Sequence, residues 1–224
     1  MVDSISILGC GWLGERIGAS FLKKGWKVNA SSRNKQRLEE LNQLGFRGYQ
    51  IDIEDLNKVA IDFFDATILI IATTNKNIIA HQNLVKLLKK SSLKMVLFVS
   101  STSVYEKSNE RITVDSPLTT SPLVEIEKEY IPFNKSIILR CGGLIGDNRK
   151  AGKFFKKGAT IKHPNAPINI IHFDEIIESI QSILNSEEKC KIYNLIQESL
   201  LTRYDYYNKA YKALHRESGL FLKG

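Results

Sequence analysis

Apolar positions along the chain follow two alternating periods. Short apolar runs at Ile5–Leu8, Lys27–Ser31, Tyr49–Ile51, Ala66–Ala72, Lys94–Ser100, Lys135–Arg140, Ile168–Ile171 and Lys191–Leu195 read as strands. Between them, apolar residues recur at helical spacing. Glu15–Lys24 carries Ile17, Phe21 and Leu22 on one face, and Asn34–Leu44 carries Leu38, Leu41 and Leu44. Leu56–Phe64 is a weaker helix; Ile78–Lys90, Pro122–Tyr130, Phe173–Asn185 and Tyr204–Leu214 complete the set. Ala66–Ala72 is almost wholly apolar, as a strand covered on both faces should be. The alternation predicts an α/β protein of Rossmann type, a doubly wound parallel sheet with right-handed crossovers and ligands at the carboxyl ends of its strands. After Ser100 the pattern loosens. Ser101–Ser121 reads as a long polar loop, and Asp147–Ala166 as basic and irregular.

The first strand runs directly into Gly9-Cys10-Gly11-Trp12-Leu13-Gly14, and a helix and a second strand follow. A GxGxxG in this setting points to a dinucleotide site. Gly9 permits the tight turn, Gly11 lets backbone approach a pyrophosphate, and Gly14 lets helix pack on strand. The helix start then offers free N–H groups to phosphate. A carboxylate at the end of the second strand would hold a ribose 2′-hydroxyl, but Ser31-Ser32-Arg33 stands there, with Lys35 and Arg37 close by. Two hydroxyls and a guanidinium suit a 2′-phosphate, so NADP is expected ahead of NAD. The competing reading makes Arg33 and Lys35 solvated residues at the start of the next helix.

Composition narrows the picture only slightly. The chain has 224 residues, 43% of them hydrophobic, enough for one domain with a sizeable core. The formal net charge is +8, but the lysines are scattered as solvated faces and no basic stripe is interleaved with aromatics, so no nucleic-acid partner is expected. No apolar run approaches membrane-spanning length, and Met1–Asp3 lead straight into a strand, so neither membrane nor leader is expected and a cytoplasmic location is. Cys10, Cys141 and Cys190 have unrelated spacings, which suits reduced thiols and no metal site. A homodimer is left open.

Further motifs occur in a fixed order: Asp52-Ile53-Glu54-Asp55, Phe98–Tyr105, Leu139–Gly146, Asn169–Glu175 and Ile192–Leu195. With the glycine turn, the chain resembles the extended short-chain dehydrogenase/reductase family, the NAD-dependent epimerase/dehydratase group acting on nucleotide sugars. GxGxxG in place of GxxGxxG points to its atypical branch. The resemblance implies that Asp52 bonds the adenine amino group with Ile53 beside the ring. It implies that Ala72, Thr73 and Thr74 lie along the cofactor, with Ser100 and the Gly142 segment also at the cofactor. Ser101 matches the hydroxyl that polarises the substrate carbonyl, with Thr102 its nearest rival. Asn169, His172 and Asp174 resemble the turn back into the substrate region. Ser101 as a strand-end cap and His172 as a structural histidine are the alternatives. Residues 1–224 would form one domain, with 147–224 adding a reduced substrate-side region.

One departure bears on chemistry. The family's working pair is a Tyr and a Lys four residues later, where the ammonium lowers the phenol pKa. None of the eight tyrosines has Lys at that spacing. Tyr130 comes nearest, with Lys135 five residues on and Pro132 between. Glu125 and Glu127 stand in the corresponding region as stand-in proton carriers or as solvent-facing residues. Two functions compete: redox chemistry on a small or nucleotide-sugar-like carbonyl or hydroxyl substrate, and a non-catalytic NADP(H)-binding sensor.

Overall fold

The computed structural model describes residues 3–56, 60–108, 110–156, 158–199, 201–215 and 222–223. Its strands are β1 (Ser4–Leu8), β2 (Lys27–Ser32), β3 (Arg47–Gln50), β4 (Ile68–Ile71), β5 (Met95–Ser101), β6 (Ser136–Cys141), β7 (Gly143–Ile145), β8 (Thr160–Ile161), β9 (Ile170–His172), β10 (Ile192–Leu195) and β11 (Leu222–Lys223). Its helices are α1 (Trp12–Leu22), α2 (Lys35–Gln43), α3 (Ile78–Leu88), α4 (Pro122–Tyr130), α5 (Phe173–Asn185) and α6 (Arg203–His215). Seven strands pair in parallel in the order β3-β2-β1-β4-β5-β6-β10. This is the expected doubly wound sheet, and its strand order reverses between β1 and β4.

Apolar faces decide the layers. On one side Ile17 and Phe21 of α1, Leu41 of α2 and Ile176, Ile180 and Ile183 of α5 cover Ile5 and Ile7 of β1. On the other, Leu84 and Leu88 of α3 and Ile126 and Tyr130 of α4 cover Leu69 and Ile71 of β4. All four residues of β4 are buried, as its sequence requires. A smaller cluster of Ile161, Ile168, Ile170, Tyr207 and Tyr211 seats α6. Among the described residues no helix is long and apolar enough to cross a membrane.

The differences from the sequence reading have local causes. β3 begins at Arg47, two residues early, because its pairing with β2 sets it (Asn29↔Arg47 to Ser32↔Gln50); at this edge only Tyr49 is buried. The weak helix over Leu56–Phe64 is a 3₁₀ turn at Ile61–Phe64, and residues 57–59 of that reading lie outside the described ones. The Ser101–Ser121 loop opens with a 3₁₀ turn at Thr102–Val104 and is closed by an antiparallel bridge from Tyr105 to Leu118. The irregular stretch after Asp147 contains β8, which pairs with β11.

One buried ion pair crosses the layers. Glu127 of α4 and Arg140 of β6 are each 1% exposed, and a guanidinium nitrogen lies 2.7 Å from the carboxylate. Arg140 also donates to the Tyr105 hydroxyl (2.7 Å), which donates to Asn194 Oδ1 (2.6 Å). Ser100 donates to Glu127 Oε1 (2.5 Å). Removing one partner leaves the other charge buried alone, at a cost of about 3–5 kcal/mol. Arg140→Met should therefore lower unfolding stability by about that amount, and Glu127→Gln by less; equal wild-type midpoints in urea would contradict the assignment.

Candidate functional site

The glycine turn sits at the point of strand reversal. Gly9 has φ +86°, and a Cβ on it would lie 2.8 Å from the Thr73 backbone, so β1 and β4 approach here as only glycine allows. A Cβ on Gly14 would meet Ile7 at 2.9 Å, which is the helix-on-strand packing expected of the third glycine. Gly11 differs from both. It has ordinary φ, and a Cβ there would meet nothing within 4 Å, so the space it leaves opens outward. Gly11 is also the N-cap of α1 and brings no side chain to the first N–H groups. In α2, α3, α4 and α5, by contrast, Asn34, Asn77, Ser121 and His172 cap those groups. The uncapped helix start beside an open cradle fits a pyrophosphate.

A cavity of about 600 Å³ extends from this cradle. Gly9, Cys10 and Gly11 form its floor; Ser31, Ser32 and Arg33, with Asn34 and Arg37, line the β2 end; Asp52 and Ile53 follow β3; Ala72, Thr73, Thr74 and Asn75 follow β4. Ser31 is 1% exposed, and its hydroxyl accepts from the Gly9 N–H (2.9 Å), so it braces the turn from beneath. The Ser32 hydroxyl accepts from the Asn34 N–H (3.1 Å). Arg33 is exposed, 3.8 Å from the Asp52 carboxylate. Arg37 is held across the cavity edge by Glu15 of α1 and Glu40 of α2. Burial pushes the Cys10 thiol up to about 12, with Arg37 opposing, and burial alone pushes Cys141 up to about 12. Both stay protonated at neutral pH. Trp12 leaves the cavity: its indole N–H donates to Asn148 Oδ1 (2.8 Å), while Leu13 is buried in the core.

The carboxyl ends of β5 and β6 correct several expectations. Ser100, expected at the cofactor, points into the interior and is committed to Glu127, because neighbouring strand residues face opposite sides of the sheet. The Ser101 hydroxyl accepts from the Ser103 N–H (3.1 Å), the capping role, and its own hydrogen has no acceptor among the described bonds. Thr102 accepts from the Asn169 side-chain amide (2.8 Å), which ties the turn after β5 to the residue before β9. Gly142 packs against Asn169 and Ile170 outside the cavity lining. His172 is the N-cap of α5: its Nδ1 accepts from the Asp174 N–H (3.3 Å) and Glu175 accepts from its backbone N–H (3.1 Å). Neither carboxylate expected to carry a proton is placed to do so. Glu127 is buried against Arg140, and Glu125 pairs with Lys128 at 2.8 Å on the outer face of α4. Tyr130 is buried, and desolvation raises its phenol pKa well above the ordinary value.

Fold and cavity together define a Rossmann-type dinucleotide-binding protein. A sequence profile described as NAD(P)H-binding matches residues 9–128, more than half of the chain, and the chain belongs to that NAD(P)H-binding family. Protein YeeZ of Escherichia coli K12 is 27% identical over 243 residues, spanning 98% of this chain and 87% of its own. A functionally unknown conserved protein from Silicibacter pomeroyi superposes with a TM-score of 0.82 at 17% identity, over 99% of this chain and 82% of its own. UDP-glucuronic acid 4-epimerase from Bacillus cereus, solved in complex with NAD, superposes with a TM-score of 0.80 at 17% identity, over 98% and 87%.

Gly11→Val should abolish dinucleotide binding at a stability cost of only about 1 kcal/mol, that of a β-branched residue at the helix N-cap, since the side chain otherwise enters only the cradle. Gly9→Ala, which drives Cβ into the Thr73 backbone, should instead destabilise the fold. Paired calorimetry and thermal melts separate the two effects. Unchanged cofactor affinity in Gly11→Val would move the pyrophosphate off this turn.

Proposed function

We propose that the protein binds NADP(H) in preference to NAD(H) and uses it for redox chemistry on a small or nucleotide-sugar-like carbonyl or hydroxyl substrate. The observation that carries the cofactor choice is the lining at the β2 end, where two guanidiniums, Arg33 and Arg37, accompany Ser32 and β2 itself ends without a carboxylate. A guanidinium meets phosphate through paired donors, which a ribose hydroxyl does not demand. The Arg33–Asp52 pair is open to water at 3.8 Å, so Arg33 can be drawn to a phosphate at small cost. The nucleotide-sugar class is supported by the shared fold of the Bacillus cereus epimerase. The bound nicotinamide supplies hydride transfer; Ser101, with a hydroxyl hydrogen to give, orients the carbonyl, and Thr102 and Asn169 fix the adjoining wall.

A second reading, dinucleotide binding without turnover, is favoured by a specific observation. Tyr130 and Glu127 are both locked in the interior, so neither passes a proton at the site. A positioned acid or base typically contributes ~10²–10⁴-fold, and a protein lacking one is expected to turn over slowly with standard nucleotide sugars.

Titration with NADPH and NADH should show the former tighter. Arg33→Ala should weaken NADPH by about 1–3 kcal/mol and leave NADH nearly unchanged; equal affinities in the wild type defeat the cofactor choice. A panel of NDP-sugars and small carbonyls with NADPH, run on wild type and Ser101→Ala, decides between the readings. Turnover that Ser101→Ala removes establishes the enzyme, and binding without turnover supports the sensor.

A further inference from the structure

The segment Thr73–Asn75 walls one side of the cavity, and a histidine outside the motifs holds it from behind. His81, in the first turn of α3, is fully buried. Its Nε2 lies 3.1 Å from the Asn75 carbonyl oxygen and its Nδ1 2.8 Å from the Tyr130 hydroxyl. A carbonyl only accepts, so Nε2 carries the proton; in the neutral ring Nδ1 then accepts and the Tyr130 hydroxyl donates. Phe98 of β5 and Tyr130 of α4, stacked on each other, both meet the imidazole edge-on. Asn75 is itself a junction: its amide donates to Glu54 Oε1 (2.7 Å) and its Oδ1 accepts from the Asn77 N–H (2.7 Å).

We propose that His81 is a positioning residue for the dinucleotide cavity: neutral and protonated at Nε2, it sets Asn75 and with it Thr73 and Thr74, and a second proton on the ring releases that wall and the ligand. The inference rests on the reading of the cavity as the dinucleotide site. A proton on Nδ1 would make the Tyr130 hydroxyl give up its bond to the ring and turn to accept instead, and among the described residues no carboxylate is bonded to the ring. From α4 the neighbouring ionisable groups are Tyr130 and Glu129, the latter accepting from the Gln82 amide at 2.9 Å. From the segment after β3 it is Glu54, engaged by Asn75; from β5, among the described residues, the ring meets the uncharged Phe98. Burial therefore dominates and lowers the imidazole pKa, with the Asn75 carbonyl opposing. The sign follows. The opened form titrates near the ordinary value of about 6.5 and takes up the proton first, so the ordered wall is complete above that pH and is lost as pH falls below it.

The test uses the whole protein. Nitrogen-15 NMR of the His81 ring at pH 8 should show a protonated Nε2 and a bare Nδ1. Affinity for NADH, measured from pH 8 to 5.5, should fall about tenfold; NADH is the probe because the 2′-phosphate of NADPH titrates near 6 itself. His81→Gln keeps a donor for the Asn75 carbonyl without a titrating group, so it should bind NADH nearly as wild type at pH 8 and lose the acid decline. His81→Phe should bind weakly throughout. An Nδ1-protonated tautomer, or a wild-type profile as flat as that of His81→Gln, overturns the proposal, and the NMR and wild-type titrations decide it even where the variants fail to fold. Failure of wild type to bind either dinucleotide at pH 8 overturns the reading of the cavity and this inference together; binding that is unchanged at pH 5.5 overturns this inference alone.

Discussion

Backbone meets backbone where β1 gives way to the glycine turn, and the rest of the cofactor half depends on that contact. With a Cβ at Gly9 only 2.8 Å from Thr73, the ends of β1 and β4 are drawn together as far as two main chains permit. The chain then departs in opposite directions, into α1 over one face of the sheet and into α3 over the other. The divergence leaves the cavity, and the close approach makes its two walls a fixed distance apart. Ser31 beneath Gly9 and Asn75 beyond Thr73 extend the same arrangement outward, each by a hydrogen bond to or from main chain.

The Glu127–Arg140 pair plays the corresponding part for β5 and β6, at a different cost. Two charges withdrawn from water gain little net stability, but they penalise any packing that separates them. Here they bind α4, β6, the end of β5 and, through Tyr105 and Asn194, β10. The same bonds consume the groups that proton transfer would draw on. Rigidity at this end of the sheet and the engagement of Glu127 and Tyr105 thus have one physical origin.

Much of this was legible in the chain. Apolar runs located the main-sheet strands to within a residue or two, and GxGxxG predicted three distinct glycine environments, because backbone clashes follow from the motif's geometry. Side-chain direction at the site was harder. Ser100 and Ser101 are adjacent in one motif, yet the pleat sends one to Glu127 and leaves the other at the strand end, and only the register with β6 (Ser100↔Arg140) settles which. A signal for the ion pair did exist. Glu127 lies three residues from both Val124 and Tyr130, on the apolar face of α4, and Arg140 follows the apolar run Ile137–Leu139 in a strand buried throughout. Each exception demands a partner, and each is the other's. His81 had no such signal, since its partners are a loop carbonyl and a tyrosine 49 residues away.

The tight turn at Gly146–Arg149 rests on the first turns of α1. Asp147 pairs with Arg16 at 2.9 Å, Asn148 receives the Trp12 indole N–H, and Gly146 is pressed against Phe173 where a Cβ has no room. More than 130 residues of sequence separate the two sides of this joint. Inheritance has to treat them as one unit. A chimera that takes the first helix from one relative and the segment after β6 from another breaks both bonds at once, so substitutions at Trp12 and Arg16 are expected to travel in descent with substitutions at Asn148 and Asp147.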